Sequence, residues 1–177
     1  MKKDNFYVIT GGPGGGKTTL LEYLQAKGIP YVPEVARALI SERLRLNLPP
    51  RPEPFEFALQ LFERDLGNFL RHSGDGAVRF FDRSFIDSAG MLKSHFRSQK
   101  DLDHVLKEYR YNARVFITPP WKEIYCNDDE RDQTFDDAVR VYNELHHWYS
   151  VNGYELVVLP QDTAEARAEF VMNIIFA

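Results

Sequence analysis

Gly11-Gly12-Pro13-Gly14-Gly15-Gly16-Lys17-Thr18, followed by Thr19, decides how the rest of the chain is read. The spacing is a glycine, four residues, then Gly-Lys-Thr. Glycine lets backbone N–H groups turn inward and approach an anion closely. Upstream, Phe6-Tyr7-Val8-Ile9-Thr10 is a short β-branched and aromatic run that predicts a buried strand. Downstream, Leu20, Leu21 and Leu24 share one face of a predicted helix over 17–27, with Gly28 placed to end it. A strand that feeds a glycine-rich turn into a helix aims the positive helix end at whatever the turn encloses. In this pattern Lys17 reaches the β- and γ-phosphates of a nucleotide, the Thr18 hydroxyl ligates Mg²⁺, and Thr19 stands near the α-phosphate. Residues 11–19 are therefore the expected nucleotide-binding set, with ATP and Mg²⁺ as the expected ligands.

Working outward, four more apolar runs predict strands at 29–32, 78–81, 115–118 and 156–159. Between them lie helical patterns. Val35, Leu39 and Leu46 predict a helix over 35–46. Phe55, Leu59, Phe62, Leu66 and Phe69 recur at three- and four-residue spacing. Further helices are expected over 84–96 and 102–108, from Ala138 to Tyr149, and around Phe170, Ile174 and Ile175. The stretch holding Pro49, Pro50, Pro52 and Pro54 is expected to be neither helix nor central strand. Strands alternating with helices predict an α/β three-layer sandwich, a five-stranded parallel sheet with helices on both faces. No linker or repeat divides residues 1–177, so one domain is expected. Within it, about 35–72 covers the substrate and about 120–137 forms a lid.

The composition is that of an ordinary globular protein, 44 % hydrophobic and 27 % charged. A net charge of −4 argues against non-specific nucleic-acid binding. Cys126 is the sole cysteine, so no disulfide can form within the chain, which fits a reducing compartment. The apolar run after Lys2 and Lys3 is too short for a signal peptide or membrane span. A cytoplasmic location, no membrane and a small-molecule partner are expected.

In an open parallel sheet, ligands bind beyond the carboxyl ends of the strands. Asp82 ends the third predicted strand, where an acid holds Mg²⁺; its alternative role is a helix N-cap. Arg83 beside it is a candidate for binding the acceptor. Glu34 follows the second strand, placed to take the proton of an acceptor hydroxyl. Arg37, three residues on, is a second acceptor-binding candidate, or a plain ion-pair partner of Glu34. In the polar run Asn127-Asp128-Asp129-Glu130-Arg131-Asp132-Gln133, Arg131 is the arginine expected to meet developing charge, with Arg140 next. The five histidines show no metal-ligand spacing. Trp121 and Trp148 are expected to pack rather than to stack on a base.

These residues together resemble a known group. Gly-Gly-Pro-Gly-Gly-Gly-Lys-Thr-Thr at 11–19, Val-Pro-Glu at 32–34, Phe-Asp-Arg-Ser at 81–84, and Pro-Pro-Trp-Lys-Glu-Ile-Tyr at 119–125 leading to Arg131 are similar to P-loop kinases. Nearest among these are small AAA-type ATPases related to nucleoside and nucleotide kinases and to the ribosylnicotinamide kinase domain. The resemblance implies strand order 2-3-1-4-5 and ATP-dependent phosphoryl transfer. Deoxynucleoside kinases carry a similar Val-Pro-Glu, whose glutamate acts as base toward a sugar hydroxyl. They also carry an acidic-Arg-Ser motif, matched here by Asp82, Arg83 and Ser84. No base-reading signature is visible in 35–72, so the resemblance does not name the acceptor.

The leading expectation is a kinase acting on a nucleoside, nucleotide or related metabolite. The alternative is a regulatory ATPase or NTP switch with a protein partner, which has no need of a base at Glu34. A weaker alternative is an RNA-end or polynucleotide kinase using Arg37, Arg43, Arg45 and Arg51. No Asn-Lys-x-Asp motif for reading guanine is present.

Overall fold

A computed structural model describes residues 1–93, 99–125 and 134–177. Arg131 lies outside the described residues, as do Cys126 and His95. Strands β1 (Phe6–Gly11), β2 (Tyr31–Val32), β3 (Arg79–Asp82), β4 (Arg114–Thr118) and β5 (Glu155–Val158) form one sheet. Its order is β2-β3-β1-β4-β5, and every neighbouring pair is parallel. The helices are α1 (Lys17–Ala26), α2 (Val35–Arg45), α3 (Pro54–His72), α4 (Phe85–Lys93), α5 (Gln99–Glu108), α6 (Phe135–Val151) and α7 (Ala164–Ile175).

The alternation of side chains along β1 builds both cores. Phe6 and Val8 point to one face, where Phe81, Val115 and Ile117 join them beneath α3, α4, α5 and α6. Ile9 points to the other, where Phe80 and Phe116 meet Leu20, Leu21 and Leu24 of α1 and Ala168 and Val171 of α7. The rings of Phe6, Tyr111 and Phe85 surround Phe69 edge-on, with centroids 5.4, 5.0 and 5.7 Å away. This cluster anchors the carboxyl half of α3 to the sheet.

Three local expectations need correction. Pro54 lies inside a helix, as the first residue of α3. That position has no intrahelical partner for an N–H, so proline loses nothing there. The helix expected over 84–96 is α4, with residues 94–96 outside the described residues, and the helix expected over 102–108 begins earlier, at Gln99, as α5. Finally, α6 starts at Phe135, inside a stretch with little apolar periodicity. A capping box starts it: the Thr134 side chain accepts from the Asp137 amide, and the Asp137 carboxylate accepts from Thr134.

Candidate active site

The glycine-rich loop joins β1 to α1. Gly14 and Gly16 both have φ 73°, in the left-handed region where a side chain is strained. Gly16 is the N-cap of α1 and makes no side-chain cap bond, which leaves the first-turn amides of the helix open to an anion. Lys17, 7 % exposed, donates to the carbonyls of Gly12 at 2.8 Å and Gly11 at 3.3 Å. Burial, with Arg83 adding to it, lowers the ammonium to about 8, against the pull of Asp82, Glu34 and Asp87. From α7, the buried Arg167 donates to the Gly15 carbonyl at 3.0 Å and holds the loop.

At the end of β3, Asp82 is 4 % exposed and its Oδ1 is buried without a hydrogen-bond partner. Burial raises its carboxyl to about 6, Glu34 adding and Lys17 and Arg83 opposing. Its alternative role as a helix cap belongs instead to Ser84, whose Oγ accepts from the Ile86 amide at 3.1 Å. Arg83 has φ 67°, a costly conformation for a residue with a side chain. Its amide donates to the Ile9 carbonyl at 3.0 Å, and its guanidinium donates to Glu34 Oε1 at 2.8 Å. The Arg83 guanidinium also lies 3.5 Å from Asp87 Oδ1. Arg37 lies 3.4 Å from Glu34 Oε2, so Glu34 pairs with both arginines. Burial alone would raise the Glu34 carboxyl, but Arg83, Lys17 and Arg37 outweigh it and hold the group down at about 2.

Asp87 organises this end of the sheet. Its Oδ2 accepts from the Ser84 amide at 3.0 Å, the Ser84 hydroxyl at 3.2 Å and the Tyr149 hydroxyl, and its Oδ1 from the Thr10 hydroxyl. Strand β1, the turn after β3 and helices α4 and α6 are thus tied through one carboxylate.

A cavity of about 1140 Å³ covers these groups. Residues 13–19 and Arg167 line it, and so do Glu34, Arg37 and Arg83. Asp82 lies beneath, outside the lining. Arg140 also lines the cavity, held by Asp137 at 3.0 Å and Glu144 at 3.3 Å. Trp121 and Trp148 line it too. The Trp148 indole donates to the Ile86 carbonyl at 2.7 Å. Among the described residues, no group of three or more His, Cys, Asp or Glu is placed to hold a metal ion.

Asp65, Asp87, Tyr149 and Arg167 were not foreseen from sequence. Asp87 had a signal, because Ser84 and Asp87 have capping-box spacing. Arg167 had none, since only the packing of α7 on α1 brings it to the loop.

A family model described as "AAA domain" matches residues 6–167. The chain belongs to that family. No curated protein sequence matches it. Among solved structures, deoxyadenosine kinase from M. mycoides is similar at TM-score 0.69 and 13 % identity, covering 97 % of this chain and 98 % of that one. NadR protein in complex with NR is similar at TM-score 0.66 and 17 % identity, covering 96 % of this chain and 50 % of that one. Thymidylate kinase from Ehrlichia chaffeensis is similar at TM-score 0.61 and 17 % identity, covering 98 % of both chains. At these identities the likeness establishes the fold, an α/β P-loop architecture. No described helix is long and apolar enough to cross a membrane.

Proposed function

We propose that this chain transfers the γ-phosphoryl group of ATP to a hydroxyl of a small-molecule acceptor, a nucleoside, nucleotide or related metabolite. One observation carries the proposal: a single cavity holds the glycine-rich loop together with a separate wall built on the Glu34–Arg83 pair. Its volume, about 1140 Å³, exceeds that of an ordinary single-ligand pocket, roughly 300–1,000 Å³. Two ligands, a nucleotide and an acceptor, fit such a space. A regulatory switch needs only the first. The similar deoxyadenosine kinase structures, which hold nucleotides, and the NadR protein in complex with NR support the same reading.

Each residue takes a role in this reading. Amides of residues 14–18 and the positive end of α1 hold the β- and γ-phosphates, with Lys17 leaving its carbonyl partners to reach them. The residues present fit a magnesium ion: the orphaned Oδ1 of Asp82 and the hydroxyl of Thr18 would hold it, the rest of its ligands being phosphate and water. The ion supplies charge neutralisation at the transferred group. Glu34 accepts a hydrogen bond from the acceptor hydroxyl and aligns its oxygen with the γ-phosphorus. As the new P–O bond forms, the bond to the β–γ bridging oxygen breaks, ADP departs, and the hydroxyl proton passes to Glu34. A carboxylate held at about 2 is a weak base, which suits a loose transition state where the nucleophile gives up its proton late. Arg83 and Arg37 hold Glu34 in place and contribute positive charge beside the acceptor. Arg131 and a lid over 120–137 remain part of the proposal.

The test is ADP formation from ATP–Mg²⁺, alone and with nucleosides, nucleoside monophosphates and nicotinamide riboside. Stimulation by one class of compound names the acceptor. Slow turnover that no compound changes would contradict the kinase reading.

A further inference from the structure

Asp65 is a buried acid that the phosphoryl-transfer reading does not use. It sits on α3, is 9 % exposed, and lines the same cavity. Phe57 and Leu61 line the cavity too, at four-residue intervals before it. Such spacing places the three on one face of the helix. That face therefore offers two apolar side chains and then a single carboxyl. Gly90 and Trp148 also line the cavity, the glycine packed against the indole, where a Cβ would come within 3.2 Å of the ring. An apolar helix face that ends in one carboxyl suits the flat side and polar edge of a planar heterocycle.

We propose that Asp65 selects the acceptor by pairing with the edge of an amino-substituted nitrogen heterocycle. The proposal rests on the kinase reading for the cavity's second ligand. The carboxyl has no hydrogen-bond or ion-pair partner among the described residues. Set in the cavity wall, it offers a ligand a polar group that no protein side chain already satisfies. The charged groups that act on it most are Asp87 on α4, Glu34 after β2 and Asp82 at the end of β3, with Arg83 opposing them, and the neutral Tyr111 hydroxyl before β4 lies nearby. Burial, and then these carboxylates, push Asp65 well above the usual carboxylate range. A neutral carboxyl offers one O–H donor and one carbonyl acceptor side by side. A ring nitrogen flanked by an amino group, as in cytosine or adenine, presents the complement: a basic acceptor beside a donor. Both bonds form at once. In an imide edge the acid's O–H meets only a carbonyl oxygen, a poorer acceptor. A phosphate there would face three carboxylates.

The experiment measures binding by calorimetry of deoxycytidine, deoxyadenosine and thymidine to the full chain and to Asp65→Asn and Asp65→Ala, with ADP formation followed in parallel. Circular dichroism and thermal midpoints show that each variant is folded. The amide of Asn keeps one donor and one acceptor, so it mimics the neutral acid. The wild type is expected to bind deoxycytidine or deoxyadenosine more tightly than thymidine. Asp65→Ala is expected to weaken amino-nucleoside binding about tenfold to a hundredfold and to bring the ratio to thymidine near one. Asp65→Asn is expected to keep most of the wild-type ratio. An Asn variant as weak as Ala would overturn the proposal, since it would require an ionised carboxylate. So would an unchanged ratio in both variants, or failure of the wild type to bind either amino-nucleoside. Selective binding without ADP formation would instead refute the kinase reading and leave Asp65 as a selector of the bound ring.

Discussion

Glu34 lines the cavity and Asp82 stands outside its lining, and their surroundings drive the two carboxyls in opposite directions. Arg83, Lys17 and Arg37 outweigh burial and hold Glu34 down at about 2, while burial lifts Asp82 to about 6. Environments that split paired acids in this way assign them different work. Glu34 stays a carboxylate throughout the physiological range, as the proposed alignment of an acceptor hydroxyl requires. Glu34→Gln is expected to lower kcat about 10²–10³-fold with little change in nucleotide affinity, measured by steady-state kinetics and by titration with ADP. Asp82 is the reverse case. Its folded-state value is above the ordinary 3.8, so its contribution to stability is present at acid pH and lost as pH rises through about 6. Asparagine imitates the neutral acid. At pH 7.5, Asp82→Asn is expected to gain about 2 kcal/mol, or about 5 °C in thermal midpoint, while losing phosphoryl transfer. The gain should shrink as the pH falls from 6 toward 4, which calorimetric scans at pH 4.5 and 7.5 will show.

Among the elements, α6 depends on its start. Thr134 and Asp137 close a capping box just after an irregular polar stretch, and the helix so begun carries Trp148 and Tyr149 to the cavity and to Asp87. Thr134→Ala is expected to cost about 1 kcal/mol, lowering the thermal midpoint by about 3 °C. This start was not legible from apolar periodicity, because Phe135, Asp136 and Asp137 show no repeat, although Thr134 and Asp137 have the spacing of a cap. Pro54 misled for a related reason: composition marked a loop, but the first position of a helix tolerates proline. The strands and the glycine-rich turn were readable, since β-branched runs bounded by glycine and proline have few other uses. Glu34 and Asp82 were readable once the strands were placed, because the carboxyl ends of a parallel sheet meet on one side. Asp65 and Arg167 were not. Each is one of several polar residues on an amphipathic helix, and only tertiary packing turns it toward the cavity.

At the scale of the molecule, the sheet order β2-β3-β1-β4-β5 puts β1 in the centre, with the glycine-rich loop flanked by the ends of β3 and β4. Glu34 after β2 and Arg83 after β3 are thereby brought within 2.8 Å although 49 residues separate them. A ligand that binds here is linked to the folding of the whole sheet. ATP with Mg²⁺ at a hundred times its dissociation constant is expected to stabilise the protein by about 2.7 kcal/mol, seen as a raised thermal midpoint. Chelating the metal should remove most of that rise.

The central claim is transfer to an acceptor, and it is tested most directly by following the γ-phosphate of labelled ATP in the presence of the nucleoside and nucleotide panel. The account predicts label on one class of acceptor, in equal amount to the ADP formed, and its loss in Glu34→Gln. Label released only as inorganic phosphate, at a rate that neither acceptor nor Glu34 changes, would contradict it.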